Sequence, residues 1–457
     1  MADTIAAIST GNTISAIGII RVSGANAIVV ANEMFRSSSG MLLKDAESKY
    51  MHFGELRTAD GILMDMCLCM ISRMPDSYTG EDCVEFHCHG SPVVLSEVLH
   101  ELYKKGVRHA EPGEFTKRAF LNGRMDLASA EAVIDLIESE SPSAAYNAAG
   151  QLSGAVSVGM NEIYNTLVDI MAHFHATIDY PDEDIDDFKI AEYRIILSET
   201  YKKLQNILDT HDRGRLLKSG IPTAIIGRPN TGKSSLLNAL LGYQRAIVTE
   251  IAGTTRDTIE EKILLGGVLL KLIDTAGLRA SSDKVEQFGI ERTLDAIKSS
   301  KLILLVFDGS EPLQEEDFEV LRKLSVDVPV IALINKSDLP SLLKSEALEQ
   351  FDITETCNVS ALTGEGINGL EAIVSEKFPL FSSMPTGELI TNARQADAIM
   401  RAKDSVGATI DALAESVTPD AILTDIEVAI TAIGEVTGIT MREDIVSRIF
   451  ERFCVGK

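Results

Sequence analysis

Residues 227–234 read Gly-Arg-Pro-Asn-Thr-Gly-Lys-Ser, and few eight-residue runs constrain a fold so tightly. Gly227 and Gly232 let the backbone curl so that successive N–H groups point inward at an anion. Lys233 adds positive charge toward the β- and γ-phosphates of a nucleotide, and the Ser234 hydroxyl is placed to ligate Mg²⁺. Asn230, Thr231 and Ser235 complete the set that wraps the phosphates. The loop needs a strand before it and a helix behind it. Thr223–Ile226 is short and apolar, and Ser235–Leu241 continues as an amphipathic helix whose N-terminus faces the anion.

Four further elements follow in order and name the base. Gly253-Thr254-Thr255-Arg256-Asp257 reads as a first switch, with Thr255 as a second protein ligand to Mg²⁺. Asp274-Thr275-Ala276-Gly277 follows the apolar stretch Val268–Ile273; Asp274 holds a magnesium-bound water and the Gly277 N–H senses the γ-phosphate. Asn335-Lys336-Ser337-Asp338 ends the apolar stretch Pro329–Ile334. The Asp338 carboxylate accepts two hydrogen bonds from guanine N1–H and the 2-amino group, which adenine lacks. At a charged acceptor those bonds give on the order of 10²-fold discrimination against ATP. Ser360 and Ala361 are expected to add a backbone contact to the guanine oxygen. The ligand read from these residues is GTP. Leu278 stands where a Ras-like enzyme has the glutamine that orients the attacking water. Leucine cannot hydrogen-bond water, so Arg279, Asp283 and Glu286 are the candidates in the segment that follows.

The 457 residues carry a net charge of −26 at pH 7. A surface so acidic is ill-suited to gripping nucleic acid all over, although Lys104, Lys105, Arg108, Lys117, Arg118 and Arg124 cluster in sequence and leave room for a local basic face. Asp182-Glu183-Asp184-Ile185-Asp186-Asp187 reads as a solvated acidic loop. No basic leader or apolar run near 18 residues is found, and six cysteines form no disulfide-like framework, which together predict a cytoplasmic protein. The chain is expected to be multidomain. Residues 1–118 mix strands (Ala16–Val22, Met64–Ile71) and helices, one opened by Ser91-Pro92 and closed by Gly106. Residues 119–217 turn helical, with Leu127, Ala130, Ile134 and Ile137 on one face and Ile163, Leu167, Ile170, Phe174 and Ile178 on another. Residues 218–380 form a Ras-like α/β unit. Helical spacing resumes over 381–457 at Ile399, Ala402, Val406, Ile410 and Leu413, then at Ile445, Ile449 and Phe453. The predicted fold class is therefore an N-terminal α+β domain and an all-α domain into which a P-loop GTPase domain is inserted.

The chain ends Arg452-Phe453-Cys454-Val455-Gly456-Lys457. That ending, together with Gly18-Ile19-Ile20-Arg21-Val22-Ser23-Gly24, Tyr78-Thr79-Gly80-Glu81-Asp82, Pro112-Gly113-Glu114-Phe115 and Leu121-Asn122-Gly123-Arg124-Met125-Asp126-Leu127, resembles the tRNA modification GTPase family called MnmE or TrmE from end to end. The resemblance implies a GTP hydrolase that forms a homodimer through its N-terminal domains and a heterotetramer with an FAD-binding protein of the MnmG (GidA) family. The pair installs an aminomethyl or carboxymethylaminomethyl group at carbon 5 of the wobble uridine of certain tRNAs. The one-carbon unit comes from 5,10-methylene- or 5-formyl-tetrahydrofolate, held at the positions matching Arg21, Glu81, Arg124 and Lys457. The resemblance also implies K⁺ held by Asn230, Thr249, Ile251 and Thr254, with Thr249 beside the nucleotide. A cation there neutralises developing phosphate charge in place of an arginine finger. Glu286 matches the water-positioning residue, with Arg279 in the same segment, and Cys454 matches a thiol that takes part in the modification.

Two readings compete on the residues themselves. Cys454 also suits an apolar filler behind the last helix. Cys67, Cys69, Cys83, His87, Cys88 and His89 invite a zinc reading, but their spacing fits no established zinc pattern, and Cys67 and Cys69 alternate onto one strand face. His173 and His175, two apart, do not share a helical face. A GTPase switch in ribosome or RNA assembly is the alternative to the enzyme; it lacks support from residues beyond 380, which read as helical rather than as an RNA module. A tetrahydrofolate-sensing switch without a part in the chemistry is the third possibility.

Overall fold

The computed structural model describes residues 3–11, 13–179, 187–243, 261–273, 296–324, 328–379, 387–415, 419–451 and 453–456. The acidic run at 182–186 lies outside them. The chain divides into two compact units, one of residues 1–134, 157–194 and 404–457, the other of 135–156 and 195–403.

The first unit is built on a seven-stranded sheet of order β3-β4-β5-β6-β2-β1-β7. Its strands are β1 (Ile5–Ile8), β2 (Ser15–Ser23), β3 (Phe35–Ser37), β4 (Met51–Arg57), β5 (Leu63–Ser72), β6 (Cys83–Gly90) and β7 (Arg108–His109). All neighbours run antiparallel except β1 and β7. Alternation along each strand sends Ile20 and Val22, Cys67, Cys69 and Ile71, and Val84, Phe86 and Cys88 to one face. There they pack under the helices Ala27–Met34 and Pro92–Lys104 as a continuous core. On the other face Ile5, Ala7, Ala110 and Phe115 form a smaller cluster beside Tyr78. The rest of that face is open: Phe53 pairs with Leu68 and Met51 with Met70 across β4 and β5, and Ile17, Met51, Phe53, Met66 and Leu68 are exposed.

The strands expected at Ala16–Val22 and Met64–Ile71 are β2 and β5, though Ala16 and Ile17 are exposed rather than buried. The helix opened by Pro92 is present, and Ser91 makes no side-chain cap bond. Two helical faces differ from their expected registers. Leu127 and Ala130 are buried, but Ile137 is exposed where its helix, Leu127–Ile137, ends. In the helix Glu443–Phe450 the buried pair is Val446 and Phe450, four apart, while Ile445 is exposed. The packed face is set by Phe120, whose ring meets Phe450 at 6.4 Å. Ile163, Leu167, Ile170 and Phe174, and Ile399, Ala402, Val406 and Leu413, are buried as their spacing predicts.

The second unit contains a six-stranded sheet of order β13-β12-β11-β8-β10-β9. These strands are β8 (Ile221–Ile226), β9 (Glu261–Leu265), β10 (Val268–Ile273), β11 (Leu302–Asp308), β12 (Val330–Asn335) and β13 (Thr356–Asn358). All pairs are parallel except the β9–β10 hairpin. Helices cover both faces, as a parallel sheet requires: Leu236, Leu237 and Leu240 pack on one side, and Ile297, Leu321 and Leu348 on the other. The helix Leu127–Ile137 and its neighbours confirm that helical sequence precedes this sheet, and Ala393–Ala414 and Pro419–Thr437 follow it.

Gly113 caps the helix Glu114–Leu121 at φ 66°, and a Cβ there would lie 2.7 Å from the Phe450 carbonyl oxygen and 2.7 Å from Phe453 Cβ. Gly123 has a similar φ of 68° with open space around it. Gly113→Ala is expected to cost about 2–4 kcal/mol, the left-handed strain plus the clash. Gly123→Ala should cost only the strain, ~1–2 kcal/mol. Thermal melts of the two variants check this, and equal losses would show that the contact with 450–453 contributes nothing.

Candidate functional sites

β8 lies inside the parallel sheet, and its C-terminal end feeds directly into residues 227–234, with the helix Lys233–Tyr243 behind. The two glycines are demanded by neighbours. A Cβ on Gly227 would meet the Val306 carbonyl oxygen at 2.3 Å, and one on Gly232 (φ 92°) would meet Asn335 Nδ2 at 2.2 Å. Asn230 adopts φ 64°, a left-handed turn that asparagine tolerates. Thr231 is fully buried and donates to the Arg228 carbonyl at 3.1 Å. Lys233 Nζ donates to the same carbonyl at 2.6 Å. Ser234 and Ser235 lie exposed on the first turn of the helix.

Arg228, which the sequence reading left without a role, anchors this loop. Its Nε bonds Asp317 at 3.2 Å and its Nη2 bonds Glu311 at 2.6 Å. Asp317 in turn closes a capping box with Gln314 at the start of the helix Glu315–Lys323. No local pattern could have found this pairing, because Asp317 lies 89 residues away.

The base-reading loop is tied to the phosphate loop through Asn335. Its Nδ2 donates to the Thr231 carbonyl at 2.8 Å, and its Oδ1 accepts from the Ala361 N–H at 3.0 Å. Lys336, at φ 66°, pairs with Asp308 at 2.5 Å. Burial pushes the Asp308 carboxyl up, but the bonds from Lys336 and Ser310 outweigh it and hold the group below its ordinary range. Asp338 is exposed, and its Oδ1 accepts from the buried Ser360 hydroxyl at 2.6 Å. Ser360 therefore orients the Asp338 carboxylate, while the Ala361 N–H engages Asn335 rather than standing free. Thr249, Ile251, Thr254, Thr255, Asp274, Gly277, Arg279 and Glu286 lie outside the described residues. β10, parallel to β8, ends at Ile273 beside Ala224.

In the first unit, Arg21 projects from β2 with its Cζ 4.7 Å from the Tyr78 ring centroid and 5.6 Å from that of Phe115. Its Nη1 is buried and has no hydrogen-bond partner. Glu81, in the loop between β5 and β6, accepts from Ser23 Oγ at 2.8 Å and from Arg118 Nη1 at 2.9 Å. Asn122 donates to the Thr79 carbonyl at 2.7 Å, and a Cβ on Gly80 (φ 77°) would sit 2.8 Å from Asn122 Cβ. That close approach brings the 77–81 loop against the turn carrying Arg124, which is half-exposed and 3.7 Å from Asp76. Arg21, Tyr78, Glu81 and Arg124 thus share one neighbourhood; Lys457 lies outside the described residues.

Most of the basic cluster is ion-paired. Lys104 pairs with Glu101, Lys105 with Glu33, Arg108 with Asp3 and Glu114, and Arg118 with Asp3, Glu81 and Glu114. Hydrogen bonds from Arg108, joined by those from Arg118, hold the Asp3 carboxyl at about 2. The cysteines divide similarly. Cys67, Cys69, Cys83 and Cys88 are buried, and among the described residues no group of three or more His, Cys, Asp or Glu is arranged to hold a metal. Burial drives the Cys69 thiol well above its ordinary range, and a bond with Cys67 does the same to Cys88, so both stay protonated. Cys454 is exposed. Its carbonyl accepts from the Gly113 N–H at 3.2 Å, and the Gly456 carbonyl accepts from Ser9 Oγ at 3.0 Å. The tail is held along the N-terminal sheet by its main chain.

Two predictions follow from the nucleotide loop. Burial, with the nearby Arg228 charge, lowers Lys233 to about 8. Phosphates favour its charged form, so nucleotide binding raises that pKa and takes up a proton above it. Affinity for GDP should be flat below about pH 8 and fall above it, and titration calorimetry near pH 8.5 should show an enthalpy that varies with the buffer's ionisation heat. A buffer-independent enthalpy would refute the assignment. Asp338→Asn should weaken GTP by on the order of 10²-fold and improve xanthosine triphosphate, whose 2-oxo group suits an amide donor. Competition binding measures both.

The family model described as the MnmE helical domain matches residues 127–454, and that of the GTP-binding protein TrmE N-terminus matches residues 4–124. The tRNA modification GTPase MnmE of Clostridioides difficile (strain 630) is 40% identical over 457 residues, covering 100% of this chain and 99% of that protein. The tRNA modification GTPase MnmE of Natranaerobius thermophilus is 41% identical over 458 residues, with the same coverage. Among solved structures, the G domain of the T. maritima FeoB iron transporter is 27% identical at a TM-score of 0.25, covering 34% of this chain and 96% of that one. An Aquifex aeolicus Era variant bound to GDP and AlF4⁻ is 24% identical at a TM-score of 0.24, covering 40% and 65%. Matched along its whole length at 40% identity, with a nucleotide loop whose parts lock together in three dimensions, this chain belongs to the MnmE family of tRNA modification GTPases.

Proposed function

We propose that the chain is a K⁺- and Mg²⁺-dependent GTPase which, with an FAD-binding partner of the MnmG (GidA) family, installs an aminomethyl or carboxymethylaminomethyl group at carbon 5 of the wobble uridine of certain tRNAs, in the cytoplasm, using a one-carbon unit from tetrahydrofolate. Residues 1–118 hold the folate and pair two copies; 119–217 and 381–457 form the helical body; 218–380 hydrolyse GTP.

The observation that carries the folate part is Arg21. A buried guanidinium N–H without an acceptor, beside aromatic rings, fits a ligand rich in carbonyl and carboxylate oxygens. Glu81, oriented by Ser23 and Arg118, is suited to accept from a pterin's N–H groups. Arg124 and Lys457 add positive charge for the glutamate end. The exposed Cys454 thiol sits on a backbone already fastened to this unit, which supports a part in the chemistry.

At the nucleotide, the exposed Ser234 hydroxyl is a hard oxygen donor that fits Mg²⁺, with Thr255 directly and Asp274 through a water completing the protein's share. Asn230, in its left-handed turn, is exposed and offers an amide oxygen to K⁺, with Thr249, Ile251 and Thr254. Bound there, the two cations neutralise phosphate charge as it develops. Glu286 orients the attacking water that Leu278 cannot hold, and Arg279 lies in the same segment. Pairing of two copies is supported by the open apolar face of β4 and β5, where Met51, Phe53, Met66 and Leu68 lie exposed.

The test is mass spectrometry of wobble-uridine nucleosides in tRNA from cells lacking the protein, and from cells restored with wild type or Cys454→Ser. Loss of the modification, restored by wild type alone, is the expected result. Restoration by both would keep the enzyme and remove Cys454 from the chemistry. Unchanged nucleosides in the deletion strain would sink the proposal and favour a role in RNA assembly.

A further inference from the structure

We propose that Glu85 is a positioning residue that fixes Arg21 for the one-carbon carrier; the assignment rests on the tetrahydrofolate reading above. β2 and β6 pair with Arg21 directly opposite Glu85. Arg21 Nε donates to Glu85 Oε1 at 2.8 Å, with the side chains 15% and 18% exposed. That single bond sets the rotation of the guanidinium about its stem. Tyr78 and Phe115, at 4.7 and 5.6 Å from Cζ, border the planar group and restrict its tilt. Nη1 is then the buried donor left without a partner.

The far oxygen of Glu85 is also committed to this face. Oε2 lies 3.5 Å from His87 Nε2, itself buried and without a hydrogen-bond partner. Residues 85 and 87 are two apart on β6, so the carboxylate stands between two polar atoms that the protein leaves unsatisfied. Here the carboxylate takes Nε and leaves Nη1 free, which is how a cation is held ready for an incoming carbonyl or carboxylate oxygen. The charge of Glu85 lets Arg21 stay half-buried before that oxygen arrives, and the fixed orientation reduces the ordering cost of binding.

The experiment is titration calorimetry of 5-formyl-tetrahydrofolate with the full-length protein: wild type, Arg21→Ala, Glu85→Gln and Glu85→Ala. Thermal melting and GTPase rate are measured on each. Wild type should bind, Arg21→Ala should lose binding, and both Glu85 variants should bind about 10- to 100-fold more weakly. The GTPase rates of the Glu85 variants should stay at the wild-type level. In tRNA modification the Glu85 variants should raise KM for the carrier with little change in kcat. If wild type does not bind, the tetrahydrofolate reading falls and takes the assignment with it. If Arg21→Ala alone loses binding, or the Glu85 variants lower the melting temperature with unchanged affinity, the carrier site stands and Glu85 is a structural pair. Should Glu85→Ala fail to fold, Glu85→Gln, which keeps the shape, decides.

Discussion

Asn335 sits almost wholly buried at the end of β12, and its amide joins two loops that arrive from distant parts of the sequence. One side donates to Thr231 in the phosphate loop; the other accepts from Ala361, 26 residues downstream. An amide buried without both bonds would cost about 1–3 kcal/mol per missing partner, so the two loops are positioned together or not at all. Gly232 is a consequence of the same contact, since Asn335 Nδ2 occupies the volume where any side chain would begin. The loop 227–234, the Asp338 carboxylate and the Ser360 hydroxyl that aims it therefore share one buried support. Arg228 braces the far side of the loop against Asp317 and Glu311.

The N-terminal unit solves a different problem. Its functional candidates are charged and lie next to apolar sheet surface, so each charge is oriented by another. Arg118, largely buried, draws Asp3, Glu81 and Glu114 around itself. Burial disfavours its charged form, yet these carboxylates more than compensate and hold the guanidinium above its ordinary range. Removing Arg118 is the costly change here, because it leaves the carboxylates around it under-compensated. Beneath this network the helix Glu114–Leu121 sets Phe115 against Ile5 and Ala7, while the larger core lies on the opposite face of the sheet.

Much of the nucleotide site was legible because its information is local. The glycines, the lysine and the strand and helix that flank them lie within about twenty residues, and the backbone geometry they require has few solutions. The placement of Asn335–Asp338 at the end of a buried strand was legible for the same reason, although the Ser360 hydroxyl that meets Asp338 was not, since that depends on a side-chain rotamer. In the N-terminal unit sequence alone placed β2 and β5 but read the basic residues as a cluster. Some acidic partners lie as many as 115 residues away, and the fold rather than any local spacing decides which charges meet. The shift of the last helix from Ile445 to Val446 and Phe450 has a similar cause: spacing offers two overlapping faces, and the ring of Phe120 selects one. Arg21 was singled out through family resemblance, whereas its unpaired nitrogen shows only in the folded chain.

The main-chain fastening of the tail imposes an order on the molecule's birth. Ser9 and Gly456 are bonded across 447 positions, and Gly456 presses so closely on the Ile8 carbonyl that a Cβ would lie 2.2 Å away. The sheet-bearing unit also takes residues 404–457 into its body. During synthesis its first strands emerge long before their last neighbours exist. The nucleotide-binding sheet, assembled from one uninterrupted stretch, has all its parts available earlier. The GTP-hydrolysing section is thus able to reach its final form on the ribosome, while the surface around β1 waits, incomplete, for the final turn of chain to arrive.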